Sequence, residues 1–476
     1  MPPAVTVAVH HCIPSVLEMR EDWCLTEALM GGTRHMRREG VRFMPKQPAE
    51  EKDAYAARLC TATLFPAYRR TVSVMAGKPF SKELTVSDAP DTVLEQWKPW
   101  FDDIDRAGVS LNVFASEMLA EAVAHGLAGI YVDVPRAANV QRTEAGVATK
   151  AAEKAAGVRP YFVRVKHDQV LGWRLDDQGR LSMLRLLEWA EVASGDYGVS
   201  MIDRVRVLRP GSWELWERVK DEQFTMIDEG TTSLDFIPFV PLYGHRVAHM
   251  IGRPPLLDLA HLNCKHWQSQ SDQDTILHVA RVPILAMIGA DDQTTLTVGG
   301  SAAVKLPIGS DMKYIEHTGA SIKAGADSLV ALEEQMIQTG AELLVKKPGT
   351  RTAAESSNDA EANKCDLQRI VESFEDALDQ ALVFAGQYAG IEPPRVTLFK
   401  DFGAGSLSDA SATLVKDLNM AGIVTKATVI EEMKRRGVLS ADIDTETELA
   451  AAEAEGPALG GLGVPKEVGA ATSVRG

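Results

Sequence analysis

Residues 353–389 carry one continuous helical pattern, with Leu367, Ile370, Val371, Phe374, Leu378 and Leu382 recurring along a single face. A helix of about 37 residues would run roughly 55 Å, far beyond the usual length in a globular fold. Between Glu355 and Asp379 the same stretch holds eight acids against two bases. Directly before it stands a basic turn, Lys346-Lys347-Pro348-Gly349, with Arg351 just beyond. The order leading up to the turn is helix, strand-rich insertion, helix. A compact enzyme pocket has no need of that arrangement. A radial assembly does, because paired helices from many copies can pack side by side while the turn between two helices projects inward.

The basic turn contrasts with the rest of the chain. Sixty-six acids against fifty bases give a formal charge of −16, which repels a DNA backbone on average and argues against a sequence-reading DNA clamp. Any nucleic-acid contact is then local or a matter of passage. The 476 residues suggest roughly three ordinary domains. With 45% apolar and 24% charged residues, the class expected is soluble and globular. The five cysteines, Cys12, Cys24, Cys60, Cys264 and Cys365, are scattered and include no CxxC. A reducing compartment is therefore expected, without a disulfide framework. The opening MPPAVTVAVHHCIPS lacks a basic segment followed by an apolar core, so no signal peptide is expected. No run of about 18 apolar residues signals a membrane span.

Along the chain, residues 15–40 read as a helix that turns basic at Arg34, Arg37 and Arg38. A helical pattern from Glu50 to Met75 should be kinked or divided at Pro66 and ended by Gly77-Lys78-Pro79. A further helix over 109–126 leads through Gly126 into GIYVDVP, which reads as a buried strand. The Ala- and Lys-rich residues 137–157 read as a loop or loose helix. Alternating residues over 159–243 predict an antiparallel meander. A helix should begin at Pro254-Pro255 and run to about Ala280. Its polar middle, QSQSDQD, should border solvent or another subunit. Short strands are predicted at PILAMIG, TLTV, AVKLPI and KYIEH, and a helix should resume near Ser328. From 404 the tail reads as helical to about Leu449 and then frays.

Few residues invite catalysis. His245, His249, His261, Cys264 and His266 are the residue types that hold zinc. However, His245 and His249 lack the HExxH glutamate, and His261-x-x-Cys264-x-His266 matches no common ligand spacing. Ordinary packing histidines are the expectation, with a metal-dependent hydrolase built on this cluster as the alternative. Asp102, Asp103 and Asp105 read as a solvated face or turn. Asp442, Asp444, Glu446 and Glu448 lack the EF-hand glycine and read as an acidic first helical turn. There is no phosphate loop, no nucleophile elbow and no dinucleotide fingerprint. No catalytic residue, metal or cofactor is expected, and the chain is not expected to be an enzyme.

Several stretches, taken together and in order, resemble a known family. They are Phe65-Pro66-Ala67-Tyr68-Arg69-Arg70-Thr71-Val72 leading to Ala76-Gly77-Lys78-Pro79-Phe80, and Asp102-Asp103-Ile104-Asp105 followed by Gly126-Leu127-Ala128-Gly129-Ile130-Tyr131-Val132-Asp133. Pro254-Pro255-Leu256-Leu257-Asp258-Leu259-Ala260 with Asn263 continues the series, as does Gly340-Ala341-x-Leu343-Leu344 before Thr352-Ala353-x-Glu355. They are similar to the portal, or head-to-tail connector, proteins of tailed bacteriophages, in a subfamily catalogued as a domain of unknown function. The resemblance spans roughly 50–440; the first fifty residues and the tail match least.

The resemblance implies an α+β, mainly helical chain with a portal-type wing, a two-helix stem, a β-rich clip, a long helix and a helical crown, assembled as a ring. The boundaries it implies are an N-terminal arm 1–49, wing 50–253, stem helices 254–281 and 325–342, and clip 282–324. A tunnel loop 343–354, long wing helix 355–389, crown 390–456 and flexible tail 457–476 complete the chain. It also implies a homo-oligomer of about twelve copies at one capsid vertex, through which double-stranded DNA passes during packaging and ejection. Implied partners are the terminase large subunit, which supplies the ATPase, the major capsid or scaffold protein, and a tail adaptor. No membrane is implied. The location would be the virion, with assembly in the host cytoplasm. Lys346, Lys347 and Arg351 would face the DNA from the tunnel loop. Another virion protein, an adaptor or internal scaffold, would share the helical character without needing a β insertion flanked by two helices.

Overall fold

The computed structural model describes residues 8–87, 89–135, 158–220, 222–281, 284–288, 311–315, 319–344, 364–400, 402, 425–435 and 445–454. The chain divides into two units, Met1–Lys400 and Asp401–Gly476. Both helix and sheet build the first unit, so the chain is of mixed α+β class.

Helix α1 (Pro14–Glu39) opens with a proline, whose missing N–H costs nothing in a first turn, and buries Val16, Met19 and Trp23. Gly32, at φ +72°, breaks its course. The pattern over 50–75 divides at Pro66, as expected, into α2 (Lys52–Thr61) and α3 (Ala67–Gly77). Strand β1 (Thr85–Ser87) and helix α4 (Asp91–Phe101) follow. Helix α5 (Leu111–His125) starts where the Ser110 hydroxyl accepts the Val113 N–H. It stops at Gly126, which takes φ +85°.

Strand β2 (Leu127–Asp133) is buried at every residue through Val132. A strand apolar on both faces sits inside a sheet, and β2 is the centre of one. It pairs antiparallel with β3 (Tyr161–Val165) on one edge and β9 (Phe239–Tyr243) on the other, with Gly129 opposite both Val165 and Pro241. This revises the single meander expected over 159–243, because its two ends leave to flank β2. The middle strands do form a five-stranded antiparallel meander. They are β4 (Val170–Leu175), β5 (Leu181–Ser194), β6 (Gly198–Arg209), β7 (Ser212–Lys220) and β8 (Gln223–Thr231). The main core joins Trp23 and Met19 of α1 to Leu127, Val165, Leu184, Phe239 and Met250.

A short hairpin, β10 (His245–Ala248) with β11 (Ile251–Arg253), leads into α6 (Leu257–Ala280). The helix begins two residues beyond Pro254-Pro255, which form the turn before it. Strands β12 (Ile284–Ile288) and β13 (Asp311–Ile315) pair antiparallel, with Ile284 opposite Ile315. Helix α7 (Ala320–Ala341) then returns against α6. It starts near Gly319, at φ +74°, well before the expected Ser328. The predicted strands TLTV and AVKLPI and the segment 137–157 lie outside the described residues.

The long pattern over 353–389 is shorter as a described helix. Helix α8 (Asp366–Ala389) is stopped at its start by Cys365, extended at φ −76° and ψ 161°, whose N–H donates to the Gln368 side chain. Residues 353–363 lie outside the described part. The apolar stripe is as expected, with Leu367, Val371, Phe374, Leu378 and Leu382 buried. Strand β14 (Arg395–Thr397) pairs with β1. In the second unit, α9 (Lys426–Arg435) and α10 (Thr445–Ala454) pack on each other. Among the described residues no helix is long and apolar enough to cross a membrane.

Candidate functional site: the helical hairpin and its base

The α6–α7 hairpin is seated on the helices that precede it by polar contacts in a largely apolar setting. Asn263 is fully buried. Its Oδ1 accepts the Tyr68 N–H at 3.0 Å, and its Nδ2 donates to the Phe65 carbonyl at 2.8 Å. Proline at 66 leaves the flanking backbone without helical partners, and one amide side chain supplies them. The Tyr68 hydroxyl, in turn, donates to the Ala124 carbonyl at 2.5 Å.

Further along α6, Arg58 of α2 donates from Nε to Glu50 at 2.7 Å and from Nη1 to Asp272 at 3.4 Å. The guanidinium holds the Glu50 carboxyl below its ordinary value. The polar middle of α6 is therefore not simply solvent-facing. Ser271 and Gln273 are buried, and Gln273 donates to the Ile322 carbonyl of α7 at 2.9 Å. A polar residue can enter a helix–helix seam in this way because a helical carbonyl has a second lone pair to offer a side-chain donor. Leu329, Leu332 and Met336 of α7 bury the apolar side of the same seam.

At the base of the hairpin lies a cleft of about 580 Å³ between the β10–β11 hairpin, the start of α6 and the start of α8. Arg246, Arg253 and Arg369 line it together with Asp258 and Asp366. Leu343 lines it too, so the last turn after α7 and the first residue of α8 meet at one place. Lys346, Lys347 and Arg351, between these two anchors, lie outside the described residues.

The histidines and the cysteine that could have formed a hydrolase centre do not converge into a metal site. Among the described residues, no group of three or more ligating side chains includes His245, His249, His261, Cys264 or His266. His245 is exposed on β10, and His261 is exposed on α6. His266 is buried between Glu333, whose carboxylate lies 3.3 Å from its Nε2, and the Phe65 ring. Burial pushes the Cys264 thiol up to about 11, the opposite of an activated ligand or nucleophile. On α6, His261 and His266 stand five residues apart and so on different sides of the helix, the one exposed and the other buried.

Two of the three aspartates at 102–105, Asp103 and Asp105, do more than face solvent. Asp105 Oδ1 accepts the N–H groups of Ala107 and Val109, and Asp103 Oδ1 accepts that of Gly108. They organise a turn in which Arg106 and Gly108 take positive φ.

A separate cluster could not be read from the sequence. Glu27 of α1, Glu121 and His125 of α5, and His167 in the turn after β3 meet around two buried histidine rings, with Glu27 at the partly exposed edge. His167 Nδ1 lies 2.6 Å from Glu121 Oε1, and its Nε2 lies 2.8 Å from Glu27 Oε1. The His125 ring stacks on it at 3.8 Å, with its Nδ1 2.9 Å from the Thr26 hydroxyl. Burial lowers His125 to about 3. Burial would lower His167 as well, but its bonds to Glu121 and Glu27 prevail and raise it to about 9. The Glu121-x-x-x-His125 spacing on a predicted helix was the available signal; nothing in the sequence announced that Glu27 and His167 would join it.

Residues 255–389, from the turn before α6 to the end of α8, match the family described as Domain of unknown function (DUF4055). The resemblance read from the sequence, to a family catalogued as a domain of unknown function, is met over that span. No curated protein matches the chain. Among solved structures, the chain is similar to one from the neck of a native GTA particle computed with C12 symmetry. The two share 14% identity at a TM-score of 0.41, over 84% of this chain and 98% of that one. It is similar at 14% identity and TM-score 0.40 to a chain of the virion of a native gene transfer agent (GTA) particle, with the same coverage. A chain from the neck of an empty GTA particle computed with C6 symmetry gives 13% identity and TM-score 0.42, over 87% and 98%.

Proposed function

We propose that this chain is a non-enzymatic structural protein of a phage virion, a portal whose copies form a ring-shaped channel at one capsid vertex. DNA would enter through the ring during packaging and leave through it on ejection. The observation that carries this reading is the α6–α7 hairpin with an antiparallel strand pair at its tip, inside the DUF4055 segment. In this reading 254–281 and 325–342 are the stem, 282–324 the clip, 50–253 the wing, 355–389 the long wing helix and 390–456 the crown. The clip is the docking face for terminase and later for a tail adaptor. The tunnel loop, 343–354, presents Lys346, Lys347 and Arg351 to the DNA phosphates. A basic patch confined to one turn of an otherwise acidic chain suits passage, because phosphate contacts spread along the whole channel would hold the duplex in place.

Electron microscopy of the purified full-length protein tests the proposal. Rings of about twelve copies around an open channel wide enough for duplex DNA are the expected class averages. If the protein stays a monomer or dimer both alone and when co-expressed with its capsid and scaffold proteins, the portal reading fails.

A further inference from the structure

The cluster joining α1, α5 and the turn after β3 has the composition of a metal site. Glu121, His125 and His167 each offer one ligating atom, and the three atoms lie within 4.8 Å of one another. The first two stand four residues apart on one helix, which aims both side chains the same way. Both histidine rings are buried. The supporting contacts are those that orient metal-binding imidazoles. The Thr26 hydroxyl engages His125 Nδ1, leaving Nε2 as the ligating atom, and Glu27 engages His167 Nε2, leaving Nδ1 beside Glu121.

Charge points the same way. Glu121 brings a largely buried carboxylate to the rings, Glu27 adds a partly exposed one, and Asp168 stands next in the chain to His167 with a buried Oδ1 that has no hydrogen-bond partner. Buried charges are costly unless they are paired. A single imidazolium can offset one carboxylate, whereas a divalent ion with neutral rings offsets two.

We propose that Glu121, His125 and His167 bind a divalent transition ion, zinc first, with Glu27 as the outer carboxylate that fixes the His167 ring. Two imidazoles and a carboxylate are a donor set that suits zinc. Tetrahedral bonds of about 2.1 Å draw ligands to roughly 3.4 Å of each other. Glu121 Oε1 and His167 Nδ1, now 2.6 Å apart, therefore open by about 0.8 Å, the His125 ligating atom closes on them by at most about 1.4 Å, and one ring swings out of the stack to aim its lone pair. The ion displaces the proton from His167 Nδ1 to solvent and replaces the hydrogen bond to Glu121 by two coordinate bonds. Its role is structural, tying the N-terminal helix to α5 and the sheet, and it is independent of the portal reading.

The test uses full-length protein stripped with EDTA, supplied with zinc chloride, passed through a desalting column and assayed for metal by mass spectrometry. One zinc per chain is expected, with a rise in melting temperature. Cobalt(II) in its place should give the visible d–d absorption of a low-coordinate nitrogen–oxygen site. His125→Ala and Glu121→Gln should each lower zinc affinity at least about tenfold. A second group, His10, His11 and Glu222, also has ligating atoms within 4.8 Å of one another, nearer the surface. The double variant His10→Ala/His11→Ala should therefore keep its zinc. Absence of retained zinc in the unmodified protein overturns the proposal, as does loss of zinc with the His10/His11 pair alone. Should His125→Ala not fold, Glu121→Gln and the cobalt spectrum of the unmodified protein decide it.

Discussion

At the scale of single residues, a buried ion pair gives the fold a dependence on pH. Arg58 and Glu50 both have side chains close to fully buried, at 7% and 11% exposed. The Arg58 hydrogen bonds lower the Glu50 carboxyl from its ordinary 4.5. A depressed carboxylate stabilises the folded state above 4.5 and loses that contribution as pH falls through its folded value. Arg58→Met leaves a carboxylate without its partner and should cost about 3 kcal/mol near neutral pH. The difference from the unmodified protein should shrink in acid, where Glu50 takes up a proton. Urea midpoints near pH 7 and near pH 3 check both halves. An equal loss at the two values would mean that Arg58 acts instead through its bond to the Pro45 carbonyl, which does not titrate.

At the scale of elements, Gly126 shows how one position can serve two needs. It ends α5 at φ +85°, and a Cβ placed there would lie 2.3 Å from the backbone carbon of Arg253. That carbon belongs to β11, so the glycine lets the β10–β11 hairpin close directly over the α5–β2 turn. Gly126→Ala meets both an unfavourable dihedral and backbone that cannot step aside. The expected result is a loss of more than about 2 kcal/mol or insoluble protein. Gly179→Ala, also at positive φ but with nothing within 4 Å, is the control and should cost less. Comparable losses at both sites would assign the whole effect to the dihedral.

At the scale of the whole molecule, the basic turn matters only if many copies meet around DNA. Replacing Lys346, Lys347 and Arg351 by alanine should leave ring formation intact and reduce packaged or retained DNA. Micrographs of the rings and the DNA content of assembled particles read the two quantities separately. Unchanged DNA content would remove the role proposed for the turn.

Much of the architecture could be read from the chain because it depends on local spacing. The apolar stripe of α8, the division at Pro66, the buried run of β2 and the return of two helices around short strands all follow from periodicity and from residues that cannot continue a helix. What the chain by itself could not decide was partnership across long separations. The three-stranded sheet takes its edges from 161–165 and 239–243 because β2 must be covered on both sides. Ser271 and Gln273 look solvent-facing until α7 brings the Ile322 carbonyl within 2.9 Å of Gln273. The histidines that suggested a metal in sequence are dispersed between β10, the turn after it and the faces of α6, while His167 reaches Glu27 across 140 residues. Periodicity determines which face of an element is apolar; only packing determines which polar groups are left to meet inside, because that depends on the elements facing them.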